Sequence, residues 1–116
     1  MTTEMAPKEM LDAVARGDAP VLETLAEMHY NTLGRSGLPE RTYHLVRLAA
    51  LAAMDAPTAS YLVNIAMARE AGVRIPEIQG VLTAIAPIIG GPRIVAAAGR
   101  SLEAMEIGDE ISQAAP

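Results

Sequence analysis

The chain has 116 residues, 51% of them hydrophobic and only 3% aromatic, which predicts one globular domain over residues 1–116 with a core of aliphatic side chains. Its formal net charge of −5 at pH 7 and its lack of a basic run exclude a phosphate-binding surface, so we expect no nucleic-acid partner. It contains no cysteine, which excludes disulfides, thiol redox chemistry and cysteine-ligated zinc.

Glycine and proline divide the chain into six predicted helices. The first runs from Pro7 to Ala15 and is closed by Gly17, because glycine suits the left-handed backbone beyond a helix end. Asp18 is the candidate N-cap of the second helix, which is predicted over Ala19–Leu33 and should end at Gly34.

The third predicted helix begins at Pro39 and reaches about Met54, and the following residues 55–57 form a tight turn. The fourth helix is predicted from Thr58 to Ala71. Gly72 then occupies the C′ position, the first residue beyond the helix cap, where a left-handed conformation favours glycine.

The fifth predicted helix begins at Pro76, and Pro87 should kink or end it because proline has no amide proton to donate. The turn at residues 90–92 leads into a sixth helix that extends to about Glu106. The remaining residues are polar at their end, and we expect them to fray.

These elements predict an all-α fold, a compact bundle of about six helices with a central antiparallel hairpin made by the third and fourth. Both helices are apolar on most sides, which is typical of helices inside a bundle or an oligomer. Abundant small side chains favour close helix packing and leave apolar surface uncovered, so a homo-oligomer is expected.

No apolar run of about 20 residues is present, so we expect no membrane partner. The first ten residues lack a basic region followed by an apolar one, so no signal peptide is predicted. A cytoplasmic location is therefore the expectation.

Polar side chains interrupt the predicted hairpin at two places. His44 and Arg47 are three residues apart on the third helix and share a face. Ser60, Tyr61 and Asn64 form a similar group on the fourth helix. If the two helices are antiparallel, Asn64 approaches Arg47, whereas Ser60 lies nearer the turn.

This group predicts a pocket for a small organic acid, because arginine binds carboxylates bidentately and histidine transfers protons near neutral pH. Structural roles are the alternatives. His44 could lie at the core edge, Arg47 could pair with a glutamate across a subunit contact, and Asn64 could be satisfied by structural hydrogen bonds. Tyr61 could pack with its hydroxyl at the surface, and Ser60 could cap its helix. No cofactor is expected, and no residue spacing fits a metal site.

Two segments resemble the carboxymuconolactone decarboxylase family, which includes alkyl hydroperoxidase D relatives. GLPERTYHLVRLAALAAM is similar to the family's Leu-x-x-Arg-Thr helix, and IAMAREAGVRIPEIQGVLTAIAPIIGGP to its A-x-x-x-G-(V/A)-x-x-x-E-I segment and Gly-x-Pro turn. The resemblance covers about residues 26–105. The matching positions in the second segment are Ala68, Gly72, Val73, Glu77, Ile78, Gly90 and Pro92.

The resemblance implies an all-α bundle that assembles into trimers or hexamers, with sites near subunit contacts. Counting back from Gly72, the Cys-x-x-Cys pair and histidine of the peroxidase members fall on Pro57, Ser60 and Asn64. Thiol peroxidase activity is therefore disfavoured. The decarboxylase members also carry that histidine, and a tyrosine before the Gly-x-Pro turn that is Ile88 here.

Three hypotheses follow. The chain is a non-redox, lyase-type enzyme for a small organic acid or cyclic metabolite, with His44 and Asn64 in catalysis and a binding set of Arg47, Ser60, Tyr61 and Ile88. Alternatively, it is a catalytically silent homo-oligomer that binds a small molecule or a partner protein. The third hypothesis is an assembly module whose polar groups serve subunit contacts only.

Overall fold

The computed structural model describes residues 7–16 and 20–114, and these residues form six α-helices and no strand. The predicted all-α class and number of helices are confirmed. The helices are α1 (Pro7–Arg16), α2 (Pro20–Ser36), α3 (Glu40–Ala53), α4 (Thr58–Glu70), α5 (Ile75–Ile89) and α6 (Gly91–Ala114). The predicted cap residues Gly17 and Asp18 lie outside the described residues. Within the described ranges, no helix combines the length and hydrophobicity needed to cross a membrane.

The C-terminus of α4 has the predicted glycine cap. Gly72 adopts a φ of 89°, in the left-handed region that favours glycine. The amide of Val73 donates to the carbonyl of Ala68 at 2.9 Å, and the amide of Gly72 donates to the carbonyl of Arg69 at 3.0 Å. These two bonds define a Schellman motif with Gly72 at C′. Residues 71–74 are called the Gly72 turn below.

The C-terminus of α3 has the same motif with an aspartate at C′. Asp55 has a φ of 56°, and it is the non-glycine residue with positive φ in the described part of the chain. The amide of Ala56 donates to the carbonyl of Leu51 at 3.0 Å, and that of Asp55 donates to the carbonyl of Ala52 at 3.3 Å. Residues 54–57 are called the Asp55 turn below.

Three helix boundaries differ from the sequence-based predictions. Helix α2 continues through Gly34 to Ser36, so this glycine does not end it. Helix α5 continues past Pro87 to Ile89; because this proline lies in the last turn, it removes only one hydrogen bond, the one to the Thr83 carbonyl. Gly90, with a φ of 88°, follows the helix end.

The third difference is in α6, which extends to Ala114 instead of ending near Glu106. The expectation of a frayed tail is wrong for residues 107–114. This part of α6 packs against α4: a Cβ on Gly108 would lie 3.8 Å from Leu62 Cδ1, and Arg69 and Asp109 form an ion pair at 3.7 Å. Tertiary packing therefore continues the helix beyond the point where its sequence becomes polar.

The core lies between α3, α4, α5 and α6, and α4 packs most extensively against α6. The predicted hairpin of α3 and α4 is present, although α6 shares the centre of the bundle with it. The buried residues of the core are Leu48, Ala52, Ala56, Tyr61, Ile65, Ala68, Val73, Ile78, Ala97 and Ala104. Helix α3 is not enclosed on all sides, since Val46 remains 54% exposed.

Arginines bind at both turns, one from α3 at the Gly72 turn and two from α6 at the Asp55 turn. At the Gly72 turn, Nη2 of Arg41 donates to the Gly72 carbonyl at 2.9 Å and to Oε1 of Glu77 at 3.0 Å. At the other end of the hairpin, two arginines of α6 bind: Arg93 donates to the carbonyl of Ala53, the last residue of α3 before the Asp55 turn, and Arg100 donates to the Asp55 carboxylate. The middle of the hairpin lies between these two sets of contacts.

Candidate functional site

A polar cluster joins α3 and α4 midway between the two turns. Nε of Arg47 donates to Oδ1 of Asn64 at 3.3 Å, and Nη1 of Arg47 donates to Oη of Tyr43 at 3.0 Å. Nδ2 of Asn64 donates to the backbone carbonyl of Ser60 at 2.9 Å. The expected approach of Asn64 to Arg47 is confirmed. These four residues are called the Arg47 cluster below.

Helical spacing positions the cluster. Tyr43 and Arg47 are four residues apart on α3, and Ser60 and Asn64 are four residues apart on α4, so each pair lies on one helical face. The guanidinium carbon of Arg47 lies 5.2 Å from the centre of the Tyr43 ring, within the range of a cation–π contact. Tyr43 is not among the predicted site residues, although its spacing of four residues from Arg47 places both on one helical face.

The Asn64 side chain is bonded at both ends of its amide. Its oxygen accepts from Arg47 and its nitrogen donates to the Ser60 carbonyl, so the orientation of the amide is determined. An amide neither gains nor loses a net proton near neutral pH. Asn64 therefore orients the guanidinium and cannot replace an imidazole as an acid or base.

The positive charge of Arg47 has no acidic partner among the described residues. Its side chain is half-buried, and its described partners are a phenol and an amide, which are both neutral. Elsewhere Arg41 pairs with Glu77 and Arg69 pairs with Asp109. A half-buried guanidinium with neutral neighbours attracts an anion more strongly than an ion-paired one.

His44 is buried beside the cluster, with 2% of its surface exposed. Its Nε2 lies 3.9 Å from Oε1 of Glu40, and its ring meets the Tyr43 ring edge-on with the centroids 5.5 Å apart. Burial lowers the pKa of His44 below its usual value of 6.5; the Arg47 charge also lowers it, and Glu40 opposes the shift. The imidazole is therefore neutral at pH 7.

Two predicted binding residues lie away from the cluster. Tyr61 is 1% exposed, and its hydroxyl is buried without a hydrogen-bond partner among the described residues. The expectation that this hydroxyl reaches the surface is wrong, because the ring points into the core. Burial raises the pKa of Tyr61, and the charges of Arg100 and Asp55 act on it, which locates its hydroxyl near the Asp55 turn. Ile88 is 82% exposed on α5.

Ser60 enters the cluster through its backbone. Its carbonyl accepts from Asn64, and its amide donates to the Pro57 carbonyl at 3.0 Å. Helix α4 has Pro57 as N-cap and no side-chain hydrogen bond from that cap. The three positions that the family resemblance identifies, Pro57, Ser60 and Asn64, thus follow one another along the start of α4.

Two clefts adjoin α4 but are separate from the Arg47 cluster. One, of about 270 Å³, lies between α4 and α6 beside Arg69 and Asp109. The other, of about 240 Å³, lies where α1 meets the first turn of α4 at Thr58. In the described ranges, no group of three or more histidine, aspartate and glutamate side chains is arranged to hold a metal ion.

A comparison with known protein families matches residues 19–101 to the model described as "Carboxymuconolactone decarboxylase family". No curated protein and no solved structure matches the chain. The family match includes α3, α4 and α5, both turns and the whole Arg47 cluster. Because this match spans well over half of the sequence, the chain belongs to the carboxymuconolactone decarboxylase family.

Proposed function

We propose that the chain binds a small organic acid through the guanidinium of Arg47. One observation carries the proposal: Arg47 is half-buried, and its described partners, Tyr43 and Asn64, are neutral. Its Nη2 makes no hydrogen bond within the described ranges, so a donor edge is available to a carboxylate. Carboxylates match the planar fork of an arginine, and the adjacent Tyr43 ring supplies apolar surface.

Any turnover at this site is proposed to be non-redox, because the chain has no cysteine to act as a thiol nucleophile. It is proposed to be of the lyase type because the chain belongs to a family named for a decarboxylase. His44 is the residue proposed for proton transfer. Burial keeps its imidazole neutral, so it is ready to accept a proton from a substrate bound at Arg47.

A catalytically silent binding protein is the second candidate. It is favoured by Asn64, whose amide is bonded at both ends and which the family resemblance aligns with a histidine of the decarboxylase members. Turnover of lactone and keto-acid substrates by the variants His44→Ala and Asn64→Ala separates the two candidates. Reduced rates in both variants support the enzyme, and unchanged rates remove both residues from any mechanism.

The binding test uses benzoate as the probe, titrated into ¹⁵N-labelled protein while the Arg47 Nε–H and Asn64 side-chain amide resonances are followed. Arg47→Gln is expected to weaken binding at least tenfold, about the contribution of one charge-assisted hydrogen bond. Arg35→Gln, which removes an exposed arginine of α2, is the matched control and should bind as the wild type does. Unchanged binding by Arg47→Gln would contradict the proposal.

Asn64→Asp gives an independent test of the role of charge. The new carboxylate would lie beside Arg47 and neutralise it, so benzoate binding should be lost. The variant also loses the amide that donates to the Ser60 carbonyl, which offsets the new ion pair, so the thermal midpoint should change little. Wild-type affinity in this variant would show that an unpaired guanidinium is not what attracts the anion.

We also propose that the chain self-associates into a trimer or hexamer. The described surface includes several exposed apolar side chains, among them Ile88 at 82%, Val95 at 73% and Leu102 at 60%. Such side chains are common where subunits meet. Light scattering at micromolar concentration tests this proposal, and a clean monomer would contradict it.

A further inference from the structure

We infer that the Asp55–Arg100 ion pair positions the Arg47 cluster, by keeping the Asp55 turn in the one conformation that places Asn64 against Arg47. Arg100 and Asp55 are positioning residues in this inference and do not touch a ligand. The inference rests on the proposed function only for its ligand-binding readout, since the Arg47–Asn64 contact exists without ligand.

The first supporting observation is the backbone of Asp55. Its φ of 56° places a residue with a Cβ in the left-handed region, where glycine is favoured. The Gly72 turn makes the same two backbone hydrogen bonds with glycine at the equivalent position. Aspartate tolerates this region better than most residues with a Cβ, but glycine suits it better still, so the feature that aspartate adds over glycine is its carboxylate.

The second observation is the partner of that carboxylate. Arg100 binds it from α6, and Arg93, seven residues earlier and hence on the same side of that helix, binds the carbonyl of Ala53. Both contacts join the turn to a helix that also packs against α3, α4 and α5. The conformation of the turn is thereby linked to the rest of the bundle.

Tyr61 adds no polar contact to the turn. Its hydroxyl lies near Asp55 and Arg100 but has no hydrogen-bond partner among the described residues. The ring fills core volume, and the two arginines make the described side-chain hydrogen bonds between the turn and α6. Removing the carboxylate therefore removes a contact that no neighbouring group replaces.

The Arg47 cluster is sensitive to the turn because its interhelical bond is long. The distance from Arg47 Nε to Asn64 Oδ1 is 3.3 Å, beyond the usual range for such bonds, so a small shift of α4 against α3 breaks it. A turn that samples several conformations would populate the bonded state less often. The apparent dissociation constant of a ligand rises in inverse proportion to that population.

The decisive variant is Asp55→Gly, which removes the carboxylate and also removes the backbone penalty. We expect an equal or higher thermal midpoint, together with shifted or broadened Arg47 Nε–H and Asn64 side-chain amide resonances in the ligand-free protein. Benzoate binding should weaken about threefold to fivefold, which corresponds to the loss of one partly exposed ion pair. A purely structural role for Asp55 predicts no change in these resonances.

Arg100→Gln removes the same ion pair from the other side and leaves Asp55 in place, so it should shift the same resonances. Arg69→Gln is the matched control, because it breaks another ion pair between α4 and α6 that lies away from the turn, and it should leave them unchanged. Wild-type resonances in both Asp55→Gly and Arg100→Gln overturn the inference. If the wild type binds no benzoate but these two variants still shift the resonances, the proposed function fails and the inference stands.

Discussion

The Asp55 turn and the Gly72 turn end α3 and α4 with the same pair of backbone hydrogen bonds, but they stabilise the left-handed residue differently. At the Gly72 turn the residue itself suits the conformation, and Arg41 binds only its backbone carbonyl. At the Asp55 turn the residue suits the conformation less well than glycine does, and Arg100 binds its side chain. One backbone motif is thus supported by local residue choice in one turn and by a distant contact in the other.

The comparison separates two kinds of sensitivity. The Gly72 turn depends on having no Cβ, so it should respond to substitution of the glycine and less to loss of its arginine. The Asp55 turn depends on a contact between two helices, so its conformation should respond to substitutions on α6. The following predictions test this difference, beginning with the largest expected effect.

Gly72→Ala should lower the free energy of unfolding by about 1–2 kcal/mol, because alanine pays the left-handed penalty that glycine avoids. A Cβ at this position meets no atom within 4 Å, so the loss comes from the backbone alone. Urea denaturation measures it. Gly99→Ala in α6 is the control, because an added Cβ there also has no atom within 4 Å; it should raise the free energy of unfolding by about 0.5–1 kcal/mol. Losses of equal size in both variants would contradict this account of the Gly72 turn.

Tyr61→Phe should raise the free energy of unfolding by about 1 kcal/mol, because it removes a buried hydroxyl that has no described partner. Tyr43→Phe is the matched variant. It should lower stability or weaken benzoate binding, since the Tyr43 hydroxyl accepts from Arg47. A large decrease in the free energy of unfolding on Tyr61→Phe would mean that this hydroxyl does help to stabilise the Asp55 turn.

Arg41→Gln should lower the free energy of unfolding by about 0.5–1 kcal/mol, the usual range for a partly exposed arginine with one ionic and one neutral partner. Arg74→Gln is the comparison, because its side chain is 77% exposed and lies 3.8 Å from the same carboxylate; it should change stability little. If Arg41→Gln lowered the free energy of unfolding more than Gly72→Ala does, the arginine would matter more to the Gly72 turn than the glycine, contrary to the proposal.

The smallest effect is expected from His44, which lies on α3 between the two turns. Burial lowers its pKa in the folded chain below the usual 6.5, so between these two values the unfolded chain binds the proton more readily. The contribution of His44 to the free energy of unfolding is therefore fully present above about pH 6.5, and it decreases as the pH falls towards the pKa of the folded chain. Urea denaturation of the wild type and His44→Gln from about pH 7.5 to about pH 5 measures it. Parallel pH profiles would contradict the lowered pKa.

Much of the fold could be predicted from the sequence, because glycine and proline mark the helix ends and Gly72 marks its own turn. The approach of Asn64 to Arg47 could also be predicted. Two helices joined by a short turn are antiparallel, and the number of residues between each side chain and the turn then determines which side chains meet. Tyr43 was available by the same reasoning but was not singled out.

Other features depend on contacts between distant residues. The Asp55 carboxylate accepts a hydrogen bond from Arg100, and those two residues are 45 positions apart. The burial of Tyr61 depends on how the other helices pack against α4. The length of α6 depends on its contact with α4. A local sequence pattern contains no information about these contacts. A prediction from helix propensity therefore ends α6 too early.

The support of the Asp55 turn by α6 also has a consequence for the growing chain on the ribosome. Arg93 and Arg100 follow the groups that they bind by 40 and 45 residues. At synthesis rates of about 5–20 residues per second, they emerge about 2–9 s after the turn itself. During that interval the hairpin lacks both contacts from α6. If the ion pair positions the Arg47 cluster as inferred, the cluster therefore reaches its final arrangement as a late event of biosynthesis.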